Sequence, residues 1–120
     1  MRILGFEKAW PKLDDEIFTT FRFPRRDLDW LSLELVQVVV NPRSKNRQPL
    51  GTAKILAVEP RRFQQNWRAT PRAITWEEAR LDGFESYEDM LEYMVKRYGE
   101  AVVSNRLINR ITLKWEERFE

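Results

Sequence analysis

Apolar and polar positions recur along this chain with two periods, and the changes of period mark out its elements. Residues 3–6 (Ile-Leu-Gly-Phe) read as a short first strand. Pro11 predicts the first turn of a helix, where its missing N–H costs nothing; Trp10, Leu13 and Ile17 then share an inner face, with Asp14, Asp15 and Glu16 outside. Residues 19–23 alternate and are rich in β-formers, so they predict a strand that Pro24 stops or places at an edge. A loop over 25–31 carries Trp30. Residues 33–40 form a near-continuous apolar run, which predicts a strand buried on both faces. A polar, turn-rich connection over 41–49 leads to a strand over 51–58, and a basic loop over 60–72 carries Phe63 and Trp67.

Two helices follow. Thr75 with Glu78 makes a capping box, each side chain satisfying a free N–H of the first turn. Ser86 caps the second helix, along which Tyr87, Met90, Leu91, Met94, Val95 and Tyr98 form an amphipathic stripe; Gly99 stands where a left-handed C-terminal cap is wanted. Ile111, Leu113 and Trp115 then alternate with Arg110, Thr112 and Lys114 as a half-buried closing strand. Trp10, Trp76 and Trp115 are expected in the core, and Tyr87 and Tyr98 in helix packing. The order predicts one α+β domain over residues 1–120, a small antiparallel, partly closed β-barrel with flanking helices.

Composition narrows the chemistry. With 120 residues, 42% of them hydrophobic, the chain can bury a core without metals or disulfides. It has no cysteine and no histidine, which removes thiol nucleophiles, a Ser-His-Asp triad and the commonest zinc ligands. Catalysis would fall to Lys, Asp/Glu, Thr or Tyr. There is no phosphate-cradling glycine loop, no dinucleotide fingerprint and no carboxylate cluster with metal-ligand spacing, so neither cofactor nor metal is expected. No apolar run is long enough to span a bilayer and no secretory signal is visible, so a soluble cytoplasmic protein is the expectation.

The net charge of +2 is unevenly placed: residues 1–72 carry 14 Lys/Arg against 8 Asp/Glu, and residues 73–120 carry 7 against 11. The asymmetry reads either as solvated loop charge or as a basic surface that meets phosphates. Arginine outnumbers lysine 15 to 6. Because arginine forks onto phosphate and stacks on bases, that bias favours nucleic acid; a GC-rich genome or a hot habitat also produces it.

Side chains two apart on a strand point the same way, so Thr20 and Arg22 project together, a hydroxyl beside a cation with aromatics around them. Such a face suits an anionic or nucleobase-containing ligand. Arg25 and Arg26, and Arg43, Lys45 and Arg47, form two basic loops that read as solvated charge or as a phosphate track. Trp30 and Trp67 lie beside them, placed to stack bases. Asp82 precedes Gly83 in what is commonly a turn, and reads alternatively as a pocket acid.

In order and spacing, these motifs resemble the ASCH domain family, a branch of the PUA-like barrels. Leu50-Gly51-Thr52-Ala53-Lys54-Ile55 is similar to the family's Leu-Gly-x-Ala strand. Ile74-Thr75-(x)3-Ala79-(x)2-Asp82-Gly83-Phe84-Glu85-Ser86 is similar to the helix pair after it, and Arg43-Ser44 resembles a prokaryotic and viral subgroup. The likeness spans residues 3–115. The family's opening Gly-x-Lys-x-x-x-x-Arg signature falls on residues 15–22, where Arg22 matches, Asp15 replaces the glycine and Ile17 the lysine.

The resemblance implies binding of RNA or a modified nucleoside, with Arg22 as anchor and Thr20 and Asp82 adding hydrogen bonds. Some members hydrolyse the acyl group of N4-acetylcytidine or cleave RNA, using a lysine, a threonine and an acid. Thr20 and Asp82 match the last two, but isoleucine at 17 can neither move a proton nor stabilise a negative charge, so a non-catalytic binding domain is the first expectation. An amidohydrolase or ribonuclease in which Lys54 supplies the missing lysine is the second, and a protein-interaction module with a basic face the third.

Overall fold

In the computed structural model, residues 1–63 and 71–119 are described. Their strands are β1 (Arg2–Phe6), β2 (Ile17–Arg22), β3 (Leu35–Val40), β4 (Gln48–Arg61) and β5 (Ile108–Arg118), hydrogen-bonded in the order β1-β3-β4-β5-β2. The sheet curls into a half-barrel, with three helices beside it: α1 (Trp76–Leu81), α2 (Tyr87–Tyr98) and α3 (Glu100–Asn105). The α+β class stands as expected. The sheet is mixed rather than antiparallel, because β1 runs parallel to β3 while the other pairs are antiparallel.

Strand alternation sorts the side chains into two cores. Leu4 and Phe6 of β1, Phe18 of β2, Val36, Val38 and Val40 of β3, Ala53 and Ile55 of β4, and Ile111, Leu113 and Trp115 of β5 fill the inside of the curl. Phe21 and Ile108 point the other way and meet Ala79, Tyr87, Met90, Met94 and Val103 of the helices. Thr20 and Arg22 share the phase of Phe18 and so face the inside of the curl.

β4 is 14 residues long, longer than the pattern predicted, and contains two prolines. β3 pairs with it only from Gln48 to Lys54, and β5 only from Gly51 to Arg61. Pro49 and Pro60 therefore lie where β4 has a partner on one side alone, and neither removes a ladder bond from a doubly paired segment.

Other expectations need correction. The Pro11 turn is one turn of 3-10 helix, Pro11–Asp14, and the chain is extended again by Ile17, whose side chain is 51% exposed at the start of β2. Leu33 and Leu35 are exposed, so double burial holds only for the Val38–Val40 end of the run. Trp76 is 59% exposed, whereas Trp30 is 6% exposed in the barrel core, with the Arg2 and Arg25 guanidiniums against its ring. A solvated Trp30 that stacks bases is therefore excluded. Helix α3 was not foreseen; Gly99 (φ 92°) ends α2 as expected and at once caps a six-residue helix that buries Val103.

Candidate functional site

The seam between the edge strands β1 and β2 is bridged by side chains. Arg22 Nη2 donates to the Gly5 carbonyl at 2.7 Å, Arg22 Nε donates to Thr20 Oγ1 at 3.1 Å, and the guanidinium lies 4.7 Å from the Phe6 ring centroid. None of these partners is a carboxylate. Burial pushes the guanidinium below its ordinary pKa, with Tyr98 and Asp82 partly offsetting it.

A cavity of about 60 Å³ lies inside this seam, and Arg22, Thr20, Lys12 and Asp82 reach its wall. Lys12 Nζ donates to Asp82 Oδ1 at 2.9 Å, and the two side chains are 5% and 6% exposed. Two local structures bring them together from positions 70 residues apart. The 3-10 turn started by Pro11 buries both Lys12 and Leu13 and holds the ammonium 5.4 Å and 5.7 Å from the Phe6 and Trp10 ring centroids. Asp82 is the C-cap of α1, and Gly83 follows at φ 114°. A side chain at position 83 would adopt a left-handed backbone and place its Cβ 3.0 Å from the Trp10 ring, so the Asp-Gly turn lets Trp10 close over the pair.

Burial shifts both members of the pair toward neutrality. It raises the Asp82 carboxyl to about 6 against the pull of Lys12, and lowers the Lys12 ammonium against the pull of Asp82.

The cavity opens beside a groove of about 750 Å³ that shares Gly5, Phe6, Glu7, Arg22 and Arg97 with it. Arg43 and Arg47 complete the groove, which thus carries four guanidiniums and one carboxylate, Glu7. Asn41, at φ 52°, turns the chain out of β3 and donates its N–H to the Phe6 carbonyl at 2.7 Å. Successive turns, Ser44 N–H to Asn41 and Arg47 N–H to Ser44, then set the two arginines. Pro42 packs so closely on Gly5 that a Cβ there would lie 2.6 Å from its ring. On the other wall, Glu7 accepts from Arg97 at 2.6 Å and from the Tyr93 hydroxyl. Trp10, Phe84 and Tyr93 form an aromatic cluster behind them.

Of the residues singled out in the sequence, Thr20, Arg22 and Asp82 meet at the cavity, and Arg43 and Arg47 at the groove. Lys45 is exposed on the same loop but does not line the groove. Arg25 and Arg26 line neither cavity nor groove; Arg25 pairs with Asp27 at 3.0 Å. Lys54 is out of phase with the buried Ala53 and Ile55, on the outer face of β4, and does not reach the cavity. The lysine that does is Lys12. Trp67 lies outside the described residues.

Lys12, Glu7, Tyr93 and Arg97 were missed. A lysine beside Pro11 and before Asp14-Asp15 looks solvated. The usable signal was that Lys8 and Lys12 are the only lysines on the N-terminal side of Thr20.

Among the described residues, no group of three or more His, Cys, Asp or Glu side chains could hold a metal ion, and no helix is long and apolar enough to cross a membrane. Comparison of the chain with protein-family models, curated proteins and solved structures finds no match.

Proposed function

We propose that the protein binds RNA or a modified nucleoside on a PUA-like barrel of the ASCH type, with no chemistry of its own. One observation carries this reading. Arg22 stands in the shared wall of a small polar cavity and an arginine-lined groove, so one ligand can engage both. The groove has the volume of a small-molecule site and its four guanidiniums suit phosphate. The inner cavity admits only a small group, such as a base substituent, which would meet the Thr20 hydroxyl, Asp82 and Lys12. Arg43 and Arg47 supply capture and orientation, and the inner polar groups supply selectivity.

Titration with short single-stranded and duplex RNA at several salt concentrations tests this. Wild type should bind with an affinity that falls with salt. Arg43→Ala/Arg47→Ala removes two groove cations and should flatten the log–log salt slope by about 1.4, at about 0.7 per phosphate contact on a single strand. Absence of binding at low salt would refute the RNA reading, and an acidic partner captured in a nuclease-resistant pull-down would favour the interaction module instead.

A second reading rests on the contact between Lys12 and Asp82 beside Thr20, which restores a lysine, a threonine and an acid to one cavity. These are the residue types the resemblance associates with acyl hydrolysis, with Lys12 in the part first given to Lys54. Under this reading, incubation with N4-acetylcytidine releases cytidine and acetate in wild type, and at least about a hundredfold more slowly in Lys12→Met, the loss typical of removing an acid–base group. No cytidine from wild type would leave the binding reading alone.

A further inference from the structure

We propose that Glu7 is a built-in competitor for the anionic ligand, occupying Arg97 across the mouth of the inner cavity until a phosphate displaces it. The proposal rests on the binding reading above and adds a control to the same site. Glu7 follows the last residue of β1, and its carboxylate accepts from Tyr93 and Arg97 on α2, 86 and 90 positions away. Glu7 and Arg97 line both the cavity and the groove, and Tyr93 lines the cavity. The three side chains thus form a clasp where the two spaces meet.

The chemistry of the clasp is that of a ligand already bound. A guanidinium donates to an oxyanion at 2.6 Å, a short charge-assisted contact, and a phenol donates to the same carboxylate. The Tyr93 bond, opposed by burial and aided by Arg97, holds the Glu7 carboxyl below its usual range, so it is an anion at neutral pH. The Glu7 and Arg97 side chains are 44% and 46% exposed, so exchange of this carboxylate for another oxyanion needs no rearrangement of the core. Arg43 and Arg47 lie on the groove's other wall, and among the described residues no carboxylate pairs with either, so an incoming phosphate gains two further cations that Glu7 does not reach. The clasp therefore sets a threshold. A ligand with one weak anionic group does not displace Glu7, whereas one that spans Arg97 and the Arg43/Arg47 wall does.

The test uses wild type, Glu7→Gln and Glu7→Gln/Arg97→Gln, with inorganic phosphate and a single-stranded RNA hexamer as separate probes followed by calorimetry. Glu7→Gln should bind phosphate about fivefold more tightly than wild type, the scale of an exposed ion pair, and the double variant should lose that gain. Thermal unfolding establishes that each variant is folded. Tighter phosphate binding by Glu7→Gln with no RNA binding by either protein upholds the clasp and removes the RNA reading. RNA binding by both, with equal phosphate affinities, upholds the RNA reading and overturns the clasp. Weaker phosphate binding by Glu7→Gln also overturns it.

Discussion

Asp82→Ala should unfold with about 3–5 kcal/mol less free energy than wild type, the range for breaking a buried ion pair by removing one partner. The readout is a lower urea midpoint at unchanged m-value. Lys12 Nζ has Asp82 Oδ1 as its hydrogen-bond partner at 2.9 Å and aromatic rings on two other sides, so the substitution leaves an ammonium buried without an anion. Lys12→Met/Asp82→Leu removes both charges with side chains of similar branching and should recover most of the loss. That contrast separates the cost of an orphaned charge from the worth of the pair. If the single variant loses under 1 kcal/mol, the ammonium has found another partner and the pair does not organise the site.

The same pair has an inverted pH signature. The folded Asp82 carboxyl titrates at about 6, raised by burial, against 3.8 for an ordinary aspartate. The folded state thus holds this proton to higher pH than the unfolded chain. The group's contribution to stability is full below 3.8 and is lost as the pH rises through about 6. Asp82→Asn cannot titrate, so the stability of wild type relative to it should fall between about pH 4 and pH 6 and stay level above. Denaturation of both proteins across that window measures the difference directly; a constant offset would mean that Asp82 is ionised throughout.

Local chemistry carried much of the fold into the sequence. The Thr75–Glu78 capping box, the Ser86 cap, Gly99 at the end of α2 and the alternation of Ile111, Leu113 and Trp115 all stand as expected. These signals are complete within a few residues. The parallel pairing of β1 with β3 was not legible, because residues 2–6 and 36–40 hold no mark of relative direction. The prolines of β4 looked like strand ends because single-sided pairing, which makes them acceptable, is a property of neighbours far along the chain.

The site divides the same way. Thr20 and Arg22 were found because strand period alone puts them on one face, and Arg43 and Arg47 because they lie in one loop. Lys12 and the Glu7–Tyr93–Arg97 contact join residues 70 to 90 apart, and local propensity does not encode such meetings. Trp30 failed for a related reason. It lies in a loop beside charged residues, but the Arg2 and Arg25 guanidiniums cover its ring and make a loop tryptophan a core one.

Glu78→Ala should cost about 3–5 kcal/mol, with about 1 kcal/mol more for its share of the capping box. Glu78 is a second buried carboxylate and has the opposite electrostatic character. Its side chain is 7% exposed and lies 3.2 Å from Arg61, 3.1 Å from Arg72 and 3.2 Å from Arg110, and it accepts the Thr75 N–H at 3.1 Å. Burial pushes its carboxyl up, but the Thr75 N–H and the arginines outweigh that and leave it below the usual 4.5. The sign of its pH dependence follows. Glu78 contributes stability above about pH 4.5 that is lost as the pH falls through its lower folded value, whereas Asp82 contributes in acid and loses that contribution toward neutrality. Glu78→Ala should therefore flatten the acid limb of the stability curve, and Asp82→Asn the limb from about pH 4 to 6. The two effects meet in α1, whose six residues are too few to hold a helix without tertiary anchors. Glu78 ties its first turn to β4 and β5, and Asp82 at its C-cap enters the cavity. Hydrogen exchange in Glu78→Ala should rise through α1 as far as Asp82, and the Asp82-dependent change between about pH 4 and 6 should shrink with it. Unchanged protection at Asp82 would show that Lys12 and Trp10 hold that carboxylate without help from the arginine cluster.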